Sequence, residues 1–155
     1  MEAKHKQFIR RKLIPFILRE HGRGFAMSTW CNNQVPPGEE IEEDEVVRTV
    51  PKCGTVACIG GTASLLVGSR VQSVRAAIQA LGLPPRQAKG LFYVWEVPEA
   101  NRDGLVTVDK YGWPILFRQR FARCNTPWGK ARVVAALLKE VIRTNGKCLE
   151  RAYGN

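Results

Sequence analysis

Residues 53–66, Cys-Gly-Thr-Val-Ala-Cys-Ile-Gly-Gly-Thr-Ala-Ser-Leu-Leu, constrain the fold of this chain more than any other segment. Thr55 is a residue type that begins helices, because its hydroxyl accepts a backbone N–H of the first turn. The small residues after it predict a helix with almost no side-chain bulk for two turns. A glycine inside a helix costs about 0.5–1 kcal/mol relative to alanine. Gly60 and Gly61 therefore indicate that something packs tightly against this backbone, and the sequence leaves open whether it is a second helix or a ligand.

The whole sequence predicts a mainly α-helical protein, with residues 1–155 forming a single compact domain of five or six short helices. Its 45% hydrophobic content suits a core that needs neither disulfides nor metal. Apolar periodicity and turn residues predict helices over 4–21, 53–66, 69–81, 84–89, 115–122 and 127–144. The connecting pieces are a long acidic loop over 32–52, a small β-hairpin within 93–112 and a frayed tail over 146–155.

Proline and glycine set the predicted helix ends. Pro15 is expected to kink the first helix or divide it in two, and Gly22 or Gly24 to end it, with His21 in its last turn. The next three helices are expected to end at Gly68, Gly82 and Gly90. The last helix is expected to start at Pro127 behind a Thr126 N-cap and to end at Asn145-Gly146.

The charge of the chain is strongly asymmetric. The net charge is +10, from 24 basic and 14 acidic residues. Six of the acidic residues lie between Glu39 and Glu45, in a stretch without lysine or arginine, so only eight acidic residues face the 24 basic ones elsewhere. Such a chain either binds an anion or carries a well-solvated surface.

Two basic clusters are the predicted anion-binding or nucleic-acid-binding residues: Arg118, Arg120 and Arg123, and Arg10, Arg11 and Lys12. The first cluster alternates with Phe117 and Phe121. Arginine suits phosphate and an exposed aromatic ring stacks on bases, although the same pattern fits phenylalanines in the core with arginines on their solvent side. A helix-turn-helix over residues 71–90 also fits, with two prolines in the turn against it.

The cysteines offer an alternative, enzymatic function. Cys53 near a helix N-terminus is the best nucleophile candidate, because the helix dipole lowers a thiol pKa, and His21 is the candidate base. The alternative is that Cys53 and Cys58 are small buried groups. The backbone N–H groups of Gly54 and Thr55 are a further candidate anion site. With one close cysteine pair and two histidines, we expect no metal site and no cofactor.

The N-terminal segment is too charged for a secretory signal, and no apolar run approaches the length of a membrane span. We therefore expect a cytoplasmic protein without a membrane partner. A third hypothesis beside binding and catalysis is a structural or assembly subunit of a larger particle, whose oligomeric state the sequence leaves open.

Several motifs, taken in order, resemble those of a protein group. They are Phe25-x-Met27-Ser28-Thr29-Trp30, Cys53-Gly54-Thr55-x-x-Cys58-Ile59-x-Gly61, Leu81-Gly82-Leu83, Leu91-Phe92, Trp113-Pro114 and Thr126-Pro127. Over residues 8–145 the chain resembles small, mostly uncharacterised bacterial and phage proteins with a Cys-Gly-Thr-x-x-Cys-x-x-Gly helix motif. It departs from them at Ala26, where an aspartate is common, and at Thr62, where Trp or His is usual. The resemblance implies a helical fold and a bacterial or mobile-element setting, and it supplies no activity.

These observations together favour a small binding protein without a catalytic cycle. The expected partner is an anion: nucleic acid, a nucleotide ligand or an acidic protein surface. The resemblance adds a phage-encoded accessory or anti-defence role, by association alone.

Overall fold

A computed structural model of the chain describes residues 1–23, Phe25, Met27, 31–32, 56–68, 74–92, 98–100, 106–108 and 110–150. This part of the chain is mainly α-helical, as predicted. The helices are α1 (Ala3–Phe8), α2 (Ile14–Leu18), α3 (Ile59–Leu66), α4 (Val74–Leu81), α5 (Pro85–Phe92), α6 (Ile115–Arg123) and α7 (Pro127–Thr144). A π-helical turn (Ile9–Leu13) joins α1 to α2, and 3-10 turns follow α2 (Arg19–Gly22) and α7 (Lys147–Leu149).

Two short antiparallel strand pairs accompany the helices. The strands are β1 (Cys31–Asn32), β2 (Val56–Ala57), β3 (Pro98–Ala100) and β4 (Val106–Val108). β1 pairs with β2, and β3 pairs with β4. The second pair confirms the hairpin expected within 93–112.

The first helix passes through Pro15 by widening into a π-helical turn. Proline has no N–H, and its ring crowds the carbonyl four residues earlier, so an ordinary α-helical turn is disfavoured there. The π turn over Ile9–Leu13 lies directly before the proline and keeps helical backbone angles at Ile14. The division expected near Pro15 is observed, with the π turn separating α1 from α2, and Ile9, Leu13 and Ile17 are buried.

The chain leaves α2 through three residues of left-handed backbone. Glu20, His21 and Gly22 have φ angles of 48°, 55° and 76°. Gly22 is buried, and a Cβ on it would lie 2.7 Å from the carbonyl oxygen of Pro127. The helix therefore ends at Leu18, with Arg19 as its C-cap, so the prediction that it ends at Gly22 or Gly24 with His21 in its last turn is wrong. Gly22 instead packs its backbone against the start of α7.

The small-residue helix α3 begins later than the sequence predicts. Cys58 is its N-cap, with Sγ accepting a hydrogen bond from the N–H of Gly61 at 3.4 Å. Because residues 56–57 form β2, the prediction that Thr55 caps this helix is wrong. All residues of 59–65 are buried, and α3 packs chiefly against α4. Gly60 and Gly61 are both buried within this helix.

Helix α5 continues past the glycine that was expected to end it. Gly82 ends α4, as predicted, but α5 runs through Gly90 to Phe92. Gly90 instead allows a close approach, since a Cβ there would lie 2.9 Å from the backbone nitrogen of Gly112.

Helix α7 has the boundaries that its sequence predicts. Thr126 Oγ1 accepts a hydrogen bond from the N–H of Gly129 at 3.0 Å, and Asn145 and Gly146 end the helix in left-handed backbone. Its buried stripe is Ala131, Val134, Ala135, Leu137, Leu138, Val141 and Ile142. Side chains of α2, α3, α4, α5 and α6 join this stripe in one hydrophobic cluster.

The frayed tail expected from residue 146 is wrong for residues 146–150. Cys148 and Leu149 are buried, and Glu150 forms a β-bridge with Tyr111. Thr144 Oγ1 donates to the carbonyl oxygen of Glu140 at 2.9 Å and accepts from the N–H of Cys148 at 3.1 Å. This hydroxyl fastens the last turn of α7 to the 3-10 turn that follows.

Some predictions lie outside the described residues: most of the acidic loop (33–52), Cys53, Gly54, Thr55 and residues 151–155. Among the helices that the structure describes, none is long and apolar enough to cross a bilayer.

Candidate nucleic-acid interface

The basic residues of the first helical run project from the π turn. Arg10, Arg11 and Lys12 are all exposed, because the turn buries Ile9 and Leu13 on either side of them. The three cations follow each other directly in the chain. No acidic side chain of the described residues pairs with them, so their charge is directed to solvent.

Helix α6 carries the other predicted cluster, Arg118, Arg120 and Arg123. Arg120 and Arg123 are exposed, whereas Arg118 is half-buried. Phe121 is 8% exposed and packs edge-to-face on Trp113, with ring centroids 5.4 Å apart. Phe121 is therefore a core residue, as one of the two interpretations of the sequence has it, and it offers no surface on which a base could stack. α6 thus presents arginines without an exposed aromatic ring between them.

The structure places the two clusters against a common neighbour. α6, the π turn and α2 each pack against α7. The exposed face of α6 also carries Ile115 and Leu116, which are 59% and 64% exposed. α6 therefore exposes two apolar side chains in its first turn as well as Arg120 and Arg123.

An exposed tryptophan at the start of α7 completes the candidate site. Trp128 is 37% exposed. The ring of His21 packs edge-on against it, with centroids 5.2 Å apart and planes at 67°. The guanidinium carbon of Arg132, one turn further along α7, lies 5.9 Å from the centroid of the Trp128 ring, within the range of a cation–π contact. We call His21, Trp128 and Arg132 the Trp128 surface.

Local structure positions this surface. Trp128 lies in the first turn of α7, before the buried stripe that begins at Ala131, and is partly exposed there. The contact between Gly22 and Pro127 holds the left-handed turn against the same end of α7, which brings His21 to the tryptophan. The Thr126 cap fixes the start of the helix.

Trp128 is not among the site residues predicted from the sequence, and His21, predicted as a base, lies against Trp128. A usable signal was present: tryptophan directly after an N1 proline precedes the apolar stripe, and an arginine four residues later shares its face. The position of His21 depends on a contact between distant parts of the chain, and no local pattern indicates it.

The described cysteines give no support to thiol chemistry. Burial raises the pKa of the Cys58 thiol and of the Cys148 thiol, which keeps both protonated at neutral pH. α3 starts at Ile59, and Gly54 and Thr55 lie outside the described residues, so the anion site at their N–H groups stays a prediction. The Cys53–His21 pair stays a prediction, since Cys53 lies outside the described residues.

Among the described residues, no three His, Cys, Asp or Glu side chains lie together as donors for a metal ion.

Comparison of the chain with protein-family models, with curated proteins and with solved structures gave no match. The resemblance to bacterial and phage proteins therefore stays a prediction. The candidate site rests on its own geometry.

Proposed function

We propose that this protein binds nucleic acid, without a catalytic cycle, and that the Trp128 surface holds an unpaired base. The observation that carries the proposal is the Trp128 ring, which is 37% exposed, with the Arg132 guanidinium over it and the His21 ring in a T-shaped contact with it. Tryptophan offers an aromatic face to any base, and arginine adds attraction both to the ring and to a phosphate.

The energetics favour a polyanion over a neutral ligand. Stacking of one base on an aromatic side chain contributes about 1–3 kcal/mol, too little for stable binding alone. Arg120, Arg123 and the Arg10–Lys12 cluster lack acidic partners among the described residues, so they are available for phosphates. Phosphate contacts supply affinity through the release of counterions.

A nucleotide ligand or an acidic protein surface would use the same cations. Neither explains the open tryptophan as directly as a nucleic-acid base does. A cytoplasmic location and an accessory or anti-defence role in phage accompany the proposal, as the resemblance implies.

The test is equilibrium binding to a fluorescein-labelled single-stranded 20-mer, measured by anisotropy for three variants. Trp128→Ala should weaken binding about tenfold or more, in line with the loss of one stacked base. Trp128→Phe should retain most of the affinity. Val67→Ala removes a 45% exposed apolar side chain elsewhere and should bind as the parent does. Equal affinity of all three variants would overturn the assignment of Trp128.

A further inference from the structure

Helices α4 and α5 form a compact pair that the Trp128 surface does not explain. Each has eight residues, and only Gly82, Leu83 and Pro84 separate them. Gly82 has a φ of 61°, the left-handed conformation that a sharp turn between helices requires. Two helices joined by a three- or four-residue turn containing glycine are the geometry of a helix-turn-helix unit.

Buried apolar side chains join the pair to the hydrophobic core. They include Ala77, Leu81, Leu83, Ala88, Leu91 and Phe92, each at most 5% exposed. Pro85 is the first residue of α5, where a missing N–H leaves no hydrogen bond unmade. Pro84 therefore ends the turn and Pro85 starts α5, so the two prolines are compatible with a helix-turn-helix arrangement.

The outer edge of α5 is open and basic. Arg86 is exposed in the first turn of α5 and Lys89 in its last turn, and Arg75 is exposed near the start of α4. Residues 46–95 contain six basic residues and no acidic residue. Nothing in this part of the sequence would repel a phosphate backbone.

The inner edge of α5 is held in place by other parts of the chain. Trp113 Nε1 donates to the carbonyl oxygen of Leu91 at 2.8 Å, and the backbone of Tyr111–Gly112 lies against Gly90. The α5 edge that carries Arg86 and Lys89 thus projects from a fixed support, as a recognition element must.

We propose that α4 and α5 dock on duplex DNA, with α5 entering the major groove. Arg86 and Lys89 would contact base edges or phosphates there, and Arg75 would contact the backbone beside the groove. This inference rests on the proposed nucleic-acid binding and adds a second surface with a partner of its own. The Trp128 surface takes an unpaired base, whereas α5 takes a duplex.

The experiment compares three labelled 20-mers at one salt concentration: single-stranded DNA, duplex DNA and duplex RNA of the same sequence. The deep, narrow major groove of A-form RNA does not admit side chains in this way, while both duplexes carry the same phosphates. Duplex DNA should bind at least tenfold more tightly than duplex RNA. Equal affinity for the two duplexes would overturn the groove assignment.

Variants separate the two surfaces. Arg86→Ala with Lys89→Ala should lower duplex-DNA affinity tenfold or more and leave single-strand affinity within threefold, and Trp128→Ala should do the reverse. Lys139→Ala, an exposed lysine of α7, is the control and should change either affinity less than threefold. If the α5 variant behaves as this control does, the inference fails while the proposed function stands. If the parent binds none of the three probes, both fail.

Discussion

The imidazole ring of His5 occupies the space that a side chain on residue 82 would need, so His5 and Gly82 define each other's positions. Nδ1 of His5 also lies 3.1 Å from the carbonyl oxygen of Ala80, a distance at which a protonated Nδ1 donates a hydrogen bond. This contact connects α1 to the turn between α4 and α5. The geometry proposed for duplex binding therefore depends on a residue near the N-terminus.

Gly82→Ala should destabilise the protein more than a left-handed backbone alone explains. Alanine at φ 61° costs about 1–2 kcal/mol, and its Cβ also meets the His5 ring. Gly68 is the matched control, because its φ is 68° and no atom lies within 4 Å of the place that a Cβ would take. Urea unfolding should show a larger loss for Gly82→Ala than for Gly68→Ala.

The extra loss of stability caused by Gly82→Ala, compared with Gly68→Ala, should be smaller in a His5→Ala background, because the imidazole ring no longer opposes the added methyl group. Equal costs for Gly82→Ala and Gly68→Ala in the parent would contradict the His5 contact.

Gln87→Met should raise the free energy of unfolding, by about 1 kcal/mol. Gln87 is 8% exposed, and its Oε1 has no hydrogen-bond partner among the described residues, so methionine removes a buried polar atom that makes no hydrogen bond there. Thr144→Val is the opposite case, since that hydroxyl both donates and accepts, and it should lower stability by about 1–2 kcal/mol. Thermal or urea unfolding measures both, and a stabilising Thr144→Val would contradict the role given to this hydroxyl in residues 144–149.

Cys58 and Cys148 should resist alkylation by iodoacetamide in the folded protein at pH 8 and react after unfolding. Burial raises the pKa of both thiols, so the folded state favours the protonated form. Deprotonation then favours unfolding, and stability should fall as the pH rises above the ordinary value of 9.0. Peptide mass spectrometry after a short pulse gives the site of each label.

The same labelling experiment addresses the enzymatic alternative. That hypothesis requires rapid alkylation of Cys53 and a loss of activity with it. Rapid labelling of Cys58 in the folded protein would contradict the burial of α3.

Helix α7 shows what the sequence could predict. Its Thr126 cap, N1 proline, apolar stripe and Asn145-Gly146 end are all local signals, and each has the structural counterpart that its chemistry dictates. The start of α3 escaped prediction because β1, far away in the chain, pairs with residues 56–57 and delays the helix to Cys58. Residues 147–149 are held by tertiary burial of Cys148 and Leu149, which their composition does not reveal.

The candidate site divides in the same way. Exposure of Arg120 and Arg123 follows from the period of α6 around buried Phe121. Within the Trp128 surface, the spacing of Trp128 and Arg132 on α7 is a local signal, whereas the position of His21 is not, since His21 reaches Trp128 through the packing of Gly22 on Pro127. Contacts between distant parts of the chain, such as these, cannot be predicted from local sequence patterns and are revealed by the folded structure.

The salt dependence of binding tests the central claim most directly. The measurement is the affinity for labelled single-stranded and duplex DNA at salt concentrations from about 50 to about 300 mM, for the parent, for Arg120→Glu with Arg123→Glu, and for the charge-preserving pair Arg120→Lys with Arg123→Lys. Counterion release predicts that, for the parent, log affinity declines linearly and steeply with log salt concentration. The slope should correspond to contacts with several phosphates. The glutamate pair should bind more weakly with a flatter slope, and the lysine pair should keep the parent slope. Absence of binding at the lowest salt, or a slope near zero, would contradict nucleic-acid binding.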